Sequence, residues 1–176
     1  KSMASPEFFI GAAQSSAFNS VEDYLHSKNF KIVCNALDRP WGGYYVLDES
    51  HAEEFAQYFF PADAAAMLGT RNKLSPKILV VAPGKRLSWQ YHHRRSEIWK
   101  LIAGKAGVVL SDTNDEKDFH EIKIGEVVRL KVGERHRLVG LPGGWGAVAE
   151  IWQHTDATNP SDESDIVRLQ DDFNRV

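Results

Sequence analysis

The stretch LSWQYHHRRSEIWKLIAG, residues 87–104, holds a glutamine, two histidines, two arginines and a glutamate between a Pro-Gly turn and a second glycine. Gln90 and His92 are two apart, so on a strand their side chains share a face. Glu97 follows across a short polar connection, where a returning chain aims it at the same space. Farther on, GEVVRLKVGERH places His136 after a turn at Gly133. If these strands close into a small barrel, the Gln90 amide oxygen, His92, Glu97 and His136 offer two nitrogen and two oxygen donors. That set suits zinc, with manganese, cobalt, nickel or iron as other first-row choices. Only Glu97 among them is negative, so a bound divalent ion keeps positive charge and polarises a carbonyl or hydroxyl oxygen.

The elements that must position these donors are punctuated strands. From Leu74 onward, Gly and Pro divide short apolar runs: PKILVVAPG, SEIWKLIAGKAGVVLSD, HEIKIGEVVRLKVG, HRLVGLPGG and GAVAEIWQH. This is the spacing of an all-β sandwich or barrel. Upstream, residues 20–28 (SVEDYLHSK) read as a short helix, FKIVCNAL as a strand, and RPWGGYYVL as a turn feeding an aromatic strand with Arg39 and Trp41 at its rim. SHAEEFAQYFF reads as an N-capped helix, and PADAAAMLG as a second short helix or a loop. In residues 159–176, Ile166, Leu169 and Phe173 at helical spacing predict a C-terminal helix packed on the barrel. The expected organisation is an N-terminal extension over 1–36, a barrel over 37–158 with a partly helical insertion at about 50–77, and that helix. KSMASPEF at the start reads partly as an expression remnant and is set aside from the fold.

The whole chain limits the function classes. With 176 residues and 43% hydrophobic content, it suits one domain with one core. A net charge of −3, from 21 basic and 24 acidic residues, gives no global attraction to nucleic acid or anionic membrane. One cysteine, Cys34, excludes an internal disulfide and a cysteine-built zinc site, in keeping with a reducing, cytoplasmic setting. No apolar run approaches the roughly 18 residues of a spanning helix, and no signal-like start is visible, so a soluble, unsecreted protein is expected.

A family resemblance rests on the same residues. Gly84, Gln90-x-His92, Glu97 and Gly104 resemble the first cupin motif, with glutamine in place of its first histidine. Gly125, Lys131-x-Gly133 and His136 resemble the second, with lysine where proline is usual. APGKRLSWQYHHRRSEIW, GERHRL, RPWG, AEIWQH and DESDIVRLQDDFNR are similar to the C-terminal isomerase region of type II phosphomannose isomerases, often fused to a mannose-1-phosphate guanylyltransferase. The likeness runs with gaps over 39–175. Two features depart from the pattern. Ile98 stands where the family usually has histidine, and the insertion at about 50–77 is expected to cover or reshape the barrel mouth.

The resemblance implies a cupin, a double-stranded β-helix or jelly roll, that interconverts mannose 6-phosphate and fructose 6-phosphate in a metal-dependent way. That reaction moves a proton between C1 and C2 and must stabilise an enediolate, while cations hold the phosphate. Arg95 is the strongest carried-over catalytic position, and Arg137 is a second basic candidate. Arg39, Trp41 and Arg168 are implied to bind substrate. Glu150 shares strand parity with Val148 and Trp152, which makes it the base candidate if that face is the interior; metal-bound water or hydroxide is the other. His26, His51, His93, His120 and His154 read as surface or structural. The tryptophans read as core or rim packing, although any at the mouth can stack on a sugar ring. No Gly-rich nucleotide loop is present, so no guanylyltransferase activity is expected. Two other readings stand beside the isomerase: a non-catalytic sugar-phosphate-binding cupin, for which Ile98 marks lost chemistry, and a metal-dependent oxygenase. A homodimer covering a sheet edge is expected.

Overall fold

The computed structural model describes residues 4–176. The elements in chain order are α1 (Gln14–Ser27), β1 (Ile32–Arg39), β2 (Gly42–Leu47), a 3₁₀ turn at Glu49–His51, α2 (Ala52–Phe59) and α3 (Ala64–Gly69). The strands β3 (Lys77–Val81), β4 (Trp89–Tyr91), β5 (Arg95–Gly104), β6 (Ala106–Ser111) and β7 (His120–Ile122) follow. The last are β8 (Val127–Leu130), β9 (Arg135–Val139), β10 (Gly146–His154) and β11 (Val167–Gln170). They form two antiparallel sheets, ordered β1-β2-β3-β10-β5-β8 and β11-β4-β9-β6-β7. Among the described residues, no helix is long and apolar enough to cross a membrane.

Both faces of the larger sheet are covered at its central strands, which explains why β3 and most of β10 read as continuous buried runs rather than alternating ones. One face looks into the barrel: Leu79, Val81, Trp99, Leu101 and Val148 meet Val108, Leu130 and Leu138 there. The other face, with Ile78, Val80, Ile98 and Ile151, packs with Phe18, Leu25, Phe55, Phe59 and Met67 of the helices. Gly104 ends β5 at φ +73°, and a Cβ there would lie 1.9 Å from the Trp145 carbonyl oxygen, so the first motif closes on a residue that must lack a side chain.

Four expectations are corrected by this architecture. The C-terminal helix is replaced by β11, whose Val167 and Arg168 pair with Tyr91 and Gln90 of β4. Asp162 and Asp165 turn the preceding backbone by accepting from Ser164 N, His93 N and Arg94 N, and the free edge of β4 then captures the chain as a strand. The first helix begins at Gln14 rather than near Ser20, because the Ser16 hydroxyl accepts from Ala13 N and donates to Ala13 O. The insertion forms α2 and α3, so PADAAAMLG is largely helical, and these helices back the sheet instead of covering the mouth. Only the end of the insertion, at Lys73 to Lys77, reaches cavity walls. Of the segment set aside at the start, residues 1–3 lie outside the described residues. The rest is integrated: Glu7 N donates to Ile102 O, the Glu7 carboxylate accepts from Tyr24 and Tyr58, and Phe8 stacks on Tyr24.

Candidate active site

A cavity of about 390 Å3 opens between the sheets. Strand parity builds its floor. On β4, Gln90 faces inward and is the cross-strand partner of His136 on β9, so the two side chains emerge side by side. On β5, Arg95, Glu97 and Trp99 face inward, and on β10 Glu150 and Trp152 do the same. His92, Glu97 and His136 converge, their donor atoms all within 4.8 Å of one another, and all three are buried. His92 Nε2 lies 3.3 Å from Glu97 Oε2, and His136 Nε2 lies 3.6 Å from Glu97 Oε1.

The hydrogen bonds of these histidines fix which nitrogen is bare. His92 Nδ1 donates to the Asp165 carbonyl at 2.7 Å and His136 Nδ1 to the Glu134 carbonyl at 3.0 Å. Each Nε2 is then a lone pair aimed at the common point, the arrangement that second-sphere carbonyls impose on metal-binding imidazoles. His136 Nε2 is buried without a hydrogen-bond partner among the described residues, and a buried lone pair is costly unless something occupies it. Burial pushes the His92 imidazole down to about 4, so it is neutral and able to ligate at physiological pH. Burial alone would raise the Glu97 carboxyl, but His92, Arg95 and His136 outweigh it and hold the group well below the usual carboxylate range. Two imidazoles and one carboxylate are a donor set that fits a divalent ion. The Gln90 amide oxygen, which accepts from Ser88 Oγ at 3.0 Å, lies on the same wall.

Around the trio stands a layer of charged and aromatic groups. Arg95 donates from Nε to Glu97 Oε2 at 2.7 Å and from Nη2 to His92 Nε2 at 3.2 Å, consistent with the bare lone pair. Its Nη1 reaches Ser161 Oγ and the Asp162 carbonyl, and its guanidinium carbon lies 3.6 Å from the centroid of Trp152. Arg95 thus joins the donor cluster to the segment leading into β11. Glu150 is buried, and its two oxygens accept from the indole N–H groups of Trp99 (2.7 Å) and Trp152 (3.1 Å). Burial first, then the nearby Glu97, push its carboxyl up to about 8.

The remaining site candidates divide. Arg39, Trp41 and Arg168 line the cavity, and Arg168 Nε is buried with no hydrogen-bond partner among the described residues. Arg137 does not join them, because its parity on β9 is opposite to that of His136. It is fully buried on the outer side, clamped by the Leu87 carbonyl (2.9 Å), Glu116 (2.8 Å) and Gln170 (2.6 Å). Arg137 ties strands together and is withdrawn as a catalytic candidate. Ile98 also points away from the cavity, into the helix-covered core. Sequence reasoning missed Lys77, Tyr44 and Glu163, all on the cavity wall. The available signal was a lysine opening the apolar run KILVV in phase with Leu79 and Val81.

Comparison with known proteins agrees with this architecture. The capsular polysaccharide assembling protein CapF from Staphylococcus aureus superposes with a TM-score of 0.54 at 16% identity, over 89% of this chain and 40% of that one. The oxalate decarboxylase of Lactobacillus farciminis does so with a TM-score of 0.51 at 13% identity, over 81% and 34%. At these identities the likeness shows the fold alone, and that fold is a cupin. Among curated sequences, the alginate biosynthesis protein AlgA of Pseudomonas aeruginosa is 31% identical over 138 residues, covering 78% of this chain and 22% of its own length. A mannose-1-phosphate guanylyltransferase of Escherichia coli is 25% identical over 138 residues, covering 78% and 23%. The chain therefore spans only about a quarter of the length of these relatives. Residues 51–171 match the family described as mannose-6-phosphate isomerase C-terminal, and the chain, matched over well more than half its length, belongs to that family.

Proposed function

We propose that this chain is a metal-dependent isomerase of a phosphorylated sugar, interconverting mannose 6-phosphate and fructose 6-phosphate. The observation that carries the reading is the buried trio His92, Glu97 and His136, with both Nε2 lone pairs aimed at one point on the floor of a cationic cavity. A divalent ion, zinc by donor type, would be held there with the Gln90 amide and would supply electrostatic stabilisation of an enediolate's adjacent oxygens. Glu150 is the proton carrier in this reading: it is buried, faces the cavity and keeps lone pairs beyond the two indole contacts. Arg95 orients Glu97 and His92 and anchors the segment at Ser161 and Asp162. Arg39 and Arg168 supply positive charge along the wall, Trp41 lines it as an apolar surface for a pyranose, and Trp152 is covered by Arg95 and Lys77.

The placement of Ile98 weakens the main argument for a non-catalytic binding protein, since the residue that departs from the family pattern does not touch the cavity. The test is to determine the bound metal of the purified protein and to assay mannose 6-phosphate conversion before chelation, after chelation and after metal is restored. Turnover that follows metal content supports the isomerase. Full metal content with sugar-phosphate binding and no turnover discards it in favour of the binding protein.

A further inference from the structure

The isomerase reading needs a place for the phosphate, and one corner of the cavity already holds an anion. Lys77 opens β3 with its side chain only 8% exposed. Its ammonium lies 3.8 Å from the Trp152 ring centroid and 5.3 Å from that of Tyr44. The Arg39 guanidinium carbon is 5.8 Å from the same tyrosine ring. Lys77 is ion-paired with the carboxylate of Glu163, which is 68% exposed and lies in the irregular segment before β11. The two partners have unequal needs. A carboxylate so exposed is solvated without help, whereas a buried ammonium requires an anion beside it. Lys77, Tyr44, Trp152 and Glu163 also line a neighbouring cavity of about 400 Å3, which gives the carboxylate room to withdraw.

We propose that Lys77 and Arg39, beside Tyr44, form the binding site for a phosphate monoester, and that Glu163 is a placeholder displaced by the incoming phosphate. The inference rests on the sugar-phosphate reading for its ligand class, and its geometry rests on the cavity's buried Lys77 having, among the described residues, a solvent-exposed, replaceable anion as its partner. A dianion bridging the ammonium and the guanidinium makes more charge-assisted hydrogen bonds than the single carboxylate it replaces. Glu163 then acts as an internal competitor.

Calorimetric titration of the metal-loaded chain with inorganic phosphate tests this, run in parallel with turnover of mannose 6-phosphate. Glu163→Gln is expected to tighten phosphate binding by about twofold to fivefold, the scale of an exposed ion pair. Lys77→Met is expected to weaken it by about tenfold or more. Unchanged or weaker binding in Glu163→Gln, wild-type binding in Lys77→Met, or no phosphate binding by the wild type overturns the proposal. Glu163→Gln alters an exposed carboxylate and remains decisive if Lys77→Met does not fold. Phosphate affinity that shifts as expected without any turnover discards the isomerase and keeps the anion site. Turnover with affinity unmoved by Glu163→Gln does the reverse.

Discussion

Glu97 and Ile98 are adjacent in the chain and face opposite sides of β5: the carboxylate meets His92 and His136, while Ile98 is wholly buried in the cluster that contains Phe55, Met67 and Ile78. The apolar layer supplied by α2 and α3 explains an isoleucine at a position where the family pattern has histidine. Ile98→His is therefore expected to lower stability by about 2–3 kcal/mol, since it leaves ring nitrogens without partners in that layer, and to leave metal content unchanged. Urea unfolding with metal analysis checks it. A variant as stable as wild type and faster in turnover would show that position 98 communicates with the site.

His136→Ala removes a donor whose bare Nε2 has no hydrogen-bond partner among the described residues. The variant is expected to lose most of its bound divalent metal. Its melting temperature should fall below that of the metal-loaded wild type, with the gap narrowing after chelation, because a ligand bound only by the folded state stabilises it in proportion to its affinity. Elemental analysis and thermal melts with and without chelator provide the reading. Full metal content in the variant removes His136 from the donor set.

The donors were legible in the sequence because strand parity and glycine turns constrain where a side chain can point. Gln90-x-His92 and the turn before His136 needed only an antiparallel sheet to converge. The inward direction of Glu150 followed from the same parity, since its face of β10 lines the cavity. Arg137 was misplaced because its basic character was weighed without the alternation of β9, which turns it to the face opposite His136 as soon as His136 points into the site. The C-terminal strand was hidden because the spacing of Ile166, Leu169 and Phe173 also suits a helix, and the unpaired edge of β4 that overrides it belongs to a residue stretch far upstream. Lys77 and Glu163 were hidden for a similar reason, since 86 positions separate them and neither shows its partner until the chain is folded.

Arg95→Lys keeps the charge but not the fork. One ammonium cannot serve Glu97, His92, Ser161 and the Asp162 carbonyl together. The expected outcome is metal content near wild type, a stability loss of about 2–3 kcal/mol from the missing charged hydrogen bonds, and turnover reduced about 100-fold through lost orientation. A split of the kinetic effect between kcat and KM, with metal measured on the same sample, separates these. Loss of metal in step with activity would make Arg95 a structural support of the donor trio instead.

Glu150→Gln is expected to reduce turnover by about 100-fold or more, the scale of a lost general base. For wild type, burial and Glu97 raise the carboxyl to about 8, and a base must be unprotonated to act, so activity rises with pH. A divalent ion at the trio adds positive charge and moves that rise to lower pH. The pH profile of kcat/KM should therefore show an ascending limb below about 8 that the variant lacks. An identical limb in Glu150→Gln would assign the proton transfer to another group.

Asp165 links acid stability to the site. Burial raises its carboxyl, but the Ser161 hydroxyl and the N–H groups of His93 and Arg94 outweigh burial and hold it at about 2 against an ordinary value of 3.8. The folded value is lower than the unfolded one, so as pH falls the unfolded chain takes the proton first. The stability Asp165 contributes, about 2 kcal/mol at most, is present above pH 4 and lost as pH falls toward 2. Asp165→Asn replaces an acceptor of two backbone N–H groups with an amide that can satisfy only one through its oxygen. It should cost about 2 kcal/mol at pH 7, and it should lose less further stability than wild type between pH 5 and pH 2. Its backbone carbonyl also orients His92, so the variant's metal affinity should fall even though no ligand has changed. Urea midpoints at pH 7, 5 and 3 for both proteins test the linkage. Parallel loss of stability in the two would mean that another carboxylate governs the acid limb.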